Sequence, residues 1–275
     1  MTAGTLERPR GRDVAPLAAV AALVVVFLGL PVAVLVGRAV IGGDIGGALG
    51  SAAVLDALGL SLATTAVSVG VTVAFGTPLA FLLARRRFRG SVLVETLIDL
   101  PIVLPPSVAG LALLLVFGRR GLLGEPLVAL GLTIPFTTVA VVLAQAFVAA
   151  PFFIRSARAG FAAVERDLED SARVDGAAER QVFRFITLPL SATALAAGLV
   201  MSWARALGEF GATIMFAGNV EGRTQTLPLV VYSEFQAGDL DRSIAGATIL
   251  VVAAFGVLLA VRGLRWGRVL DIRAG

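Results

Sequence analysis

Cysteine, histidine and lysine are all absent from this sequence of 275 residues, and each absence closes off some chemistry. Without cysteine there are no disulfides and no thiol reactions. Without histidine the commonest acid–base group and the commonest metal ligand are missing. Without lysine the chain can build neither a Gly-Lys-Ser/Thr phosphate loop nor a Schiff base. Charge is scarce as well: 15% of residues are charged and 57% hydrophobic, where a soluble domain carries about 25% charged residues. With a mean hydropathy of +0.92, the composition is that of a polytopic membrane protein. Every basic residue is arginine, a usage that fits a GC-rich genome. The arginines cluster at the ends of apolar runs and form no single basic stripe, so the chain is not read as binding nucleic acid. No catalytic residue and no metal-ligand set is assigned.

The apolar runs divide the chain into six spans, expected at about 14–37, 57–84, 92–117, 134–154, 189–216 and 243–261. Polar tails at 1–13 and 264–275 flank a membrane domain at 14–263. The first run is too long for the apolar core of a signal peptide and is read as an uncleaved anchor. The second carries Ser61, Thr64, Thr65, Ser68, Thr72 and Thr77, hydroxyls suited to helix–helix hydrogen bonds, with Gly70 and Gly76 permitting close packing. The third begins with Glu95 and Asp99 and contains Pro101, Pro105 and Pro106. Prolines remove backbone donors and kink a helix, which either shapes a polar path or only adjusts packing. Gln145 is the one strongly polar side chain of the fourth run.

Arginine counts orient the spans. With the N-terminus inside, seventeen arginines fall on the cytoplasmic side and five outside (Arg38, Arg119, Arg120, Arg223, Arg242), with Arg205 within a span. That is a clear positive-inside bias and puts both termini in the cytoplasm. The longest charged passage then also lies in the cytoplasm, as an insert at 155–188. Val164, Leu168 and Ala172 form an apolar stripe on one short helix. Gly176 allows a sharp reversal, and Val182, Phe183 and Ile186 form the apolar side of a second helix. Such a knob has the size to fit a groove on a soluble partner, although an insert that merely links two spans is the simpler alternative.

Asp170-Ser171-Ala172, three residues, Gly176, nine residues, Ile186, one residue and Leu188-Pro189 resemble the EAA loop of ABC-transporter permeases. Two positions depart in type: Asp170 stands where the family usually has Glu, and Ser171 where it usually has Ala. The resemblance implies an all-α permease of the type I ABC importer architecture in a prokaryotic cell membrane. It implies that Asp170, Ser171, Ala172, Gly176, Ile186, Leu188 and Pro189 couple the chain to a separate ATPase dimer, which alone binds ATP and magnesium. A second copy of the chain and an extracytoplasmic oxyanion-binding protein complete the expected assembly.

The segment Ala204-Arg205-Ala206-Leu207-Gly208-Glu209-Phe210-Gly211-Ala212-Thr213 resembles, together with Ala217 to Leu229, the molybdate/tungstate and sulfate permeases. Asp99 to Ser107 and Phe117 to Gly121 resemble the molybdate branch in particular. From Pro189 to Glu209 is roughly 30 Å of helix at 1.5 Å per residue, which puts Arg205 and Glu209 in the outer part of the membrane, one turn apart. An intramembrane arginine is costly and marks a functional candidate. Arg205 is either half of a structural ion pair with Glu209 or a counter-charge for a passing oxyanion. Path or gate residues are therefore expected among Arg205, Gly208, Glu209, Gly211, Thr213, Pro101, Pro105 and Pro106. Asn219, Arg223, Thr224, Gln225 and Thr226 form either a surface facing the binding protein or a plain hairpin cap. A sulfate or thiosulfate permease is the nearest alternative. An ion-coupled secondary carrier would need carboxylates near the midplane, where none is found.

Overall fold

The computed structural model describes the backbone of residues 15–42, 45–86 and 88–271, and within them side chains from 16 to 259. The polar tail expected at 1–13 and residues 272–275 lie outside the described residues. Among those described, all regular structure is helical. α1 (Ala15–Gly42) is the most apolar helix and buries nothing within its most apolar window, meeting mainly the last helix. α2 (Ile45–Gly50) leads into α3 (Ala52–Arg85), which begins earlier than its apolar run suggested.

The third expected span is not one helix. α4 (Ser91–Val103) and α5 (Pro106–Phe117) meet at a bend of 119°. The cause is local. Leu104 precedes Pro105, which precedes Pro106, and a residue before proline is driven out of the helical region. Leu104 (φ −68°, ψ 133°) and Pro105 (φ −53°, ψ 136°) are both extended, after which Pro106 opens α5 at a position where its missing N–H costs nothing. Among the described residues, five continuous helical stretches are long and apolar enough to cross, and a sixth crossing arises only if the bent pair is counted as one.

After α6 (Gly124–Ala129), α7 (Thr138–Ala162) is capped by Thr137, whose Oγ1 accepts the Ala140 N–H at 3.3 Å. It runs well past 154, so the charged insert begins only after Ala162. The insert comprises α8 (Arg166–Val174), α9 (Glu179–Val182) and a π-helical segment (Phe183–Thr187). The fifth span is also broken: α10 (Leu188–Leu207) ends at Gly208, and α11 (Gly211–Phe216) follows. The expected polar loop contains α12 (Leu227–Gln236), and α13 (Leu240–Asp271) continues through the segment read as the start of a tail.

α7 lies at the centre, packed against α3 on one side and α10 on the other. Small residues set these spacings. A Cβ at Gly198 would lie 2.8 Å from Ser156 Cβ, and one at Gly160 2.5 Å from Ala194 Cβ. Hydroxyls join the same helices, Ser156 Oγ donating to the Ala194 carbonyl at 2.7 Å and Ser202 Oγ to that of Ala149 at 3.1 Å. Across α3 and α7, Ser68 Oγ donates to Gln145 Oε1 at 3.0 Å, and Gln145 Nε2 donates to Thr65 Oγ1 at 3.4 Å. Lipid offers no hydrophobic drive for helix association, so close approach and such hydrogen bonds supply it. Gly76 takes part, its Cβ position meeting Ile154 and Phe153, whereas Gly70 faces open space.

Candidate functional site

The insert is anchored by a residue outside the spaced motif. Glu169 is buried, and its Oε1 accepts from Arg85 Nη2 and from Thr187 Oγ1, each at 2.6 Å. Arg85 Nη1 also donates to the Val164 carbonyl at 3.2 Å. One carboxylate thereby ties α8 to the end of α3 and to the start of α10. The apolar stripe expected on α8 does not serve that purpose. Val164 is buried ahead of the helix, but Leu168 is exposed and Ala172 only partly covered. Glu169 escapes a search for hydrophobic period because the inward position is charged, and its partner lies 84 residues away.

Asp170 and Ser171 lie on the outer face of α8, and Ser171 Oγ donates to the Asp167 carbonyl at 2.7 Å. Arg173 closes the turn, contacting Asp170 Oδ1 and Glu179 Oε1 at 2.6 Å each. Its guanidinium is pushed further above its already high range, Glu179 contributing most. Gly176 has φ +92°, with nothing within 4 Å of its Cβ position, so the reversal depends on its backbone freedom alone. Gln181 Oε1 accepts the Ala178 N–H at 2.8 Å and starts α9. Val182 is buried, and Phe183 stacks edge-on against Phe81 with ring centroids 5.1 Å apart. Gly176, Val182 and Ile186 line a surface cavity of about 360 Å³ beside exposed Phe185. Leu188 and Pro189 open α10, Pro189 at a first-turn position.

The two broken helices meet. A Cβ at Gly211 would lie 2.7 Å from Pro106 Cβ, and one at Gly110 would lie 2.6 Å from the Ala212 carbonyl oxygen. The α4–α5 bend therefore abuts the α10–α11 break, with Pro105, Pro106 and Gly208 exposed there and Pro101 and Thr213 buried. Glu209 holds the break: it is 1% exposed, and its Oε1 accepts the Ala212 N–H at 2.7 Å, meeting one of the orphan donors at the start of α11. Its Oε2 lies 2.6 Å from Arg205 Nη1. Arg205 keeps 29% of its side chain exposed, so it both pairs and faces outward. At the other end of α7, Arg158 meets Glu95 at 2.9 Å and Arg155 meets Asp99 at 3.5 Å.

The loop after α11 divides its five candidates. Asn219 and Arg223 are exposed, and Asn219 Nδ2 donates to Ser233 Oγ at 2.7 Å. Gln225 is partly covered. Thr224 and Thr226 are buried and face inward, Thr224 Oγ1 accepting the Val220 N–H at 3.0 Å. Beyond them, the Leu227 N–H donates to Ser61 Oγ at 2.8 Å and fixes α12 to α3.

Residues 76–273 match the family described as "Binding-protein-dependent transport system inner membrane component". The molybdenum transport system permease protein ModB of Mycobacterium tuberculosis is 45% identical over 205 residues, covering 74% of this chain and 77% of that one. ModB of Escherichia coli is 38% identical over 203 residues, covering 74% and 89%. Among solved structures, a bacterial ABC transporter that imports the acidic polysaccharide alginate superposes with a TM-score of 0.72. It covers 92% of this chain and 96% of its own at 19% identity, a likeness of fold.

Proposed function

This chain belongs to the binding-protein-dependent transport system inner membrane component family, and from that premise we propose that it is the permease subunit of an ATP-driven ABC importer for molybdate or tungstate. The observation that carries the anion is the likeness to molybdenum permeases over 74% of the chain. The chain is not an enzyme; with no lysine for a phosphate loop, ATP and magnesium belong to a separate ATPase subunit.

We assign the insert to ATPase docking. Clamped from behind by Glu169, it presents Asp170, Ser171, the Gly176 turn and Ile186, with exposed Leu168, Val174 and Phe185 beside them. A rigid knob with an apolar surface suits a groove on a soluble partner. Two copies of the chain form the path between them, with both termini and the insert in the cytoplasm, as the arginine bias indicates. ATP-driven closure of the ATPase dimer pushes the two inserts together and turns the cavity outward. Arg205 offsets the charge of the passing anion at the junction of the broken helices, while Glu209 keeps that charge from forming a deep binding well. An ion-coupled carrier is disfavoured, because Glu95, Asp99 and Glu209 are all paired with arginine.

The test is uptake into proteoliposomes containing permease, ATPase and binding protein. ATP-dependent molybdate accumulation that tungstate suppresses, and that excess sulfate leaves intact, is the expected result. A preference for sulfate would overturn the substrate while leaving the importer.

A further inference from the structure

A cavity of about 510 Å³ opens at the end of the molecule remote from the insert, lined by Leu114, Arg119, Thr133, Pro135, Phe136 and Arg223. α7 fixes its side of the membrane. The cavity adjoins the entry to that helix at Thr138 and the insert follows its end at Ala162, and 25 residues of helix span about 37 Å, more than a hydrocarbon core. With the insert in the cytoplasm, as proposed above, the cavity lies on the face from which an importer receives its load.

Its lining charges are two arginines and no carboxylate. Among the described residues neither Arg119 nor Arg223 makes an ion pair, whereas Arg242 on the same face is paired with Asp239 at 3.3 Å. The walls are held in place. Thr138 Oγ1 donates to the Arg223 carbonyl at 2.9 Å and ties the loop to α7. Phe136 adopts φ +61°, a region costly for any residue with a side chain, and its N–H donates to the Phe216 carbonyl at 3.3 Å. Its ring lies over Gly218, where a Cβ would come within 2.9 Å. A half-exposed aromatic and two unpaired guanidinium groups are thereby presented together.

We propose that this cavity receives an acidic side chain from the binding protein, with Arg119 and Arg223 as a two-armed clamp and Phe136 as its apolar wall. A free oxyanion is the poorer occupant, since it would leave the half-exposed Phe136 ring uncovered. A carboxylate-bearing loop fills it and covers the Phe136 ring as well. Guanidinium forks match carboxylates in geometry and lose little water on pairing. This rests on the importer reading above and adds to Arg223 the residues Arg119, Thr133 and Phe136, which the loop sequence alone did not group with it.

The experiment measures ATPase stimulation of the reconstituted permease–ATPase complex by molybdate-loaded binding protein, as a function of binding-protein concentration and salt. In R119E/R223E the half-maximal concentration should rise at least tenfold, and the increase with salt expected of the parent should flatten or reverse, as expected for charges that steer docking. Reversing the facing Asp or Glu of the binding protein to Arg should restore the parental value. An unchanged half-maximal concentration in the double variant would overturn the clamp while leaving the importer intact. So would stimulation of the parent by free molybdate without binding protein that the same substitutions abolish, since the cavity would then serve the anion itself. Absence of any stimulation in the parent would overturn both readings.

Discussion

Arg85 Nη2 lies 2.6 Å from Glu169 Oε1, with 11% and 4% of the two side chains exposed. A pair so enclosed is costly to break from one side, about 3–5 kcal/mol, because the remaining charge keeps its desolvation cost without its compensation. E169A is therefore expected to lower the thermal stability of the detergent-purified protein sharply, and E169Q less, since an amide oxygen still accepts from Thr187. A double replacement, R85M/E169M, should recover most of the loss. Thermal unfolding of the four proteins checks the order, and equal stability of E169A and parent would remove the clamp.

Gly176 tests the turn without disturbing packing. Its Cβ position meets nothing, so Gly176→Val acts through backbone strain alone, roughly 1–2 kcal/mol for a left-handed residue. The variant should insert normally but fail to retain the ATPase on co-purification, or hydrolyse ATP without uptake. Gly176→Asn, more tolerant of that conformation, should be the milder change. Full assembly and uptake in the valine variant would move the joint elsewhere.

Arg205→Ala leaves Glu209 buried and unpaired. The rate of ATP-driven molybdate uptake should fall about tenfold, equivalent to about 1.4 kcal/mol on the limiting barrier. Glu209→Ala should instead lower stability first, because it removes the acceptor for the Ala212 N–H as well. Parallel uptake, ATPase and melting curves separate the two. Unchanged uptake by a normally purified R205A protein would reduce the arginine to a structural partner.

Gly198→Ala places a methyl group 2.8 Å from Ser156 Cβ and 3.2 Å from the Phe153 backbone. Overpacking of this kind typically costs 1–3 kcal/mol. Gly70→Ala, on α3 with open space around it, is the matched control and should be neutral or slightly stabilising. A melting temperature that falls for the first and holds for the second confirms that glycine sets the α7–α10 spacing.

Periodicity and arginine placement made the long helices legible, as well as the Gly176 reversal, because these depend on neighbours in sequence. The prolines at 101, 105 and 106 signalled a kink but not a bend of 119°, which follows from two consecutive residues each preceding a proline. α12 was hidden in an apparent loop because its ten residues are too few for a span, although Pro228 at its first turn was a start signal. Glu169 was missed for a different reason: charged inward positions carry no period, and the arginine that makes this one tolerable is on another helix. The burial of Thr224 and Thr226 likewise comes from tertiary packing, and a polar loop gives no sign of it.

The π-helical segment Phe183–Thr187 joins the knob to α10 without a break, so the distance from Gly176 to Leu188-Pro189 acts as an angular phase. Each residue added to or removed from this stretch would turn the whole of α10 by about 100° about its axis. Arg205 would then swing away from the junction, and Gly198 away from Ser156. On the proposed reading, the number of residues in the insert would set how a movement of the knob is passed on to the aim of a side chain far along α10.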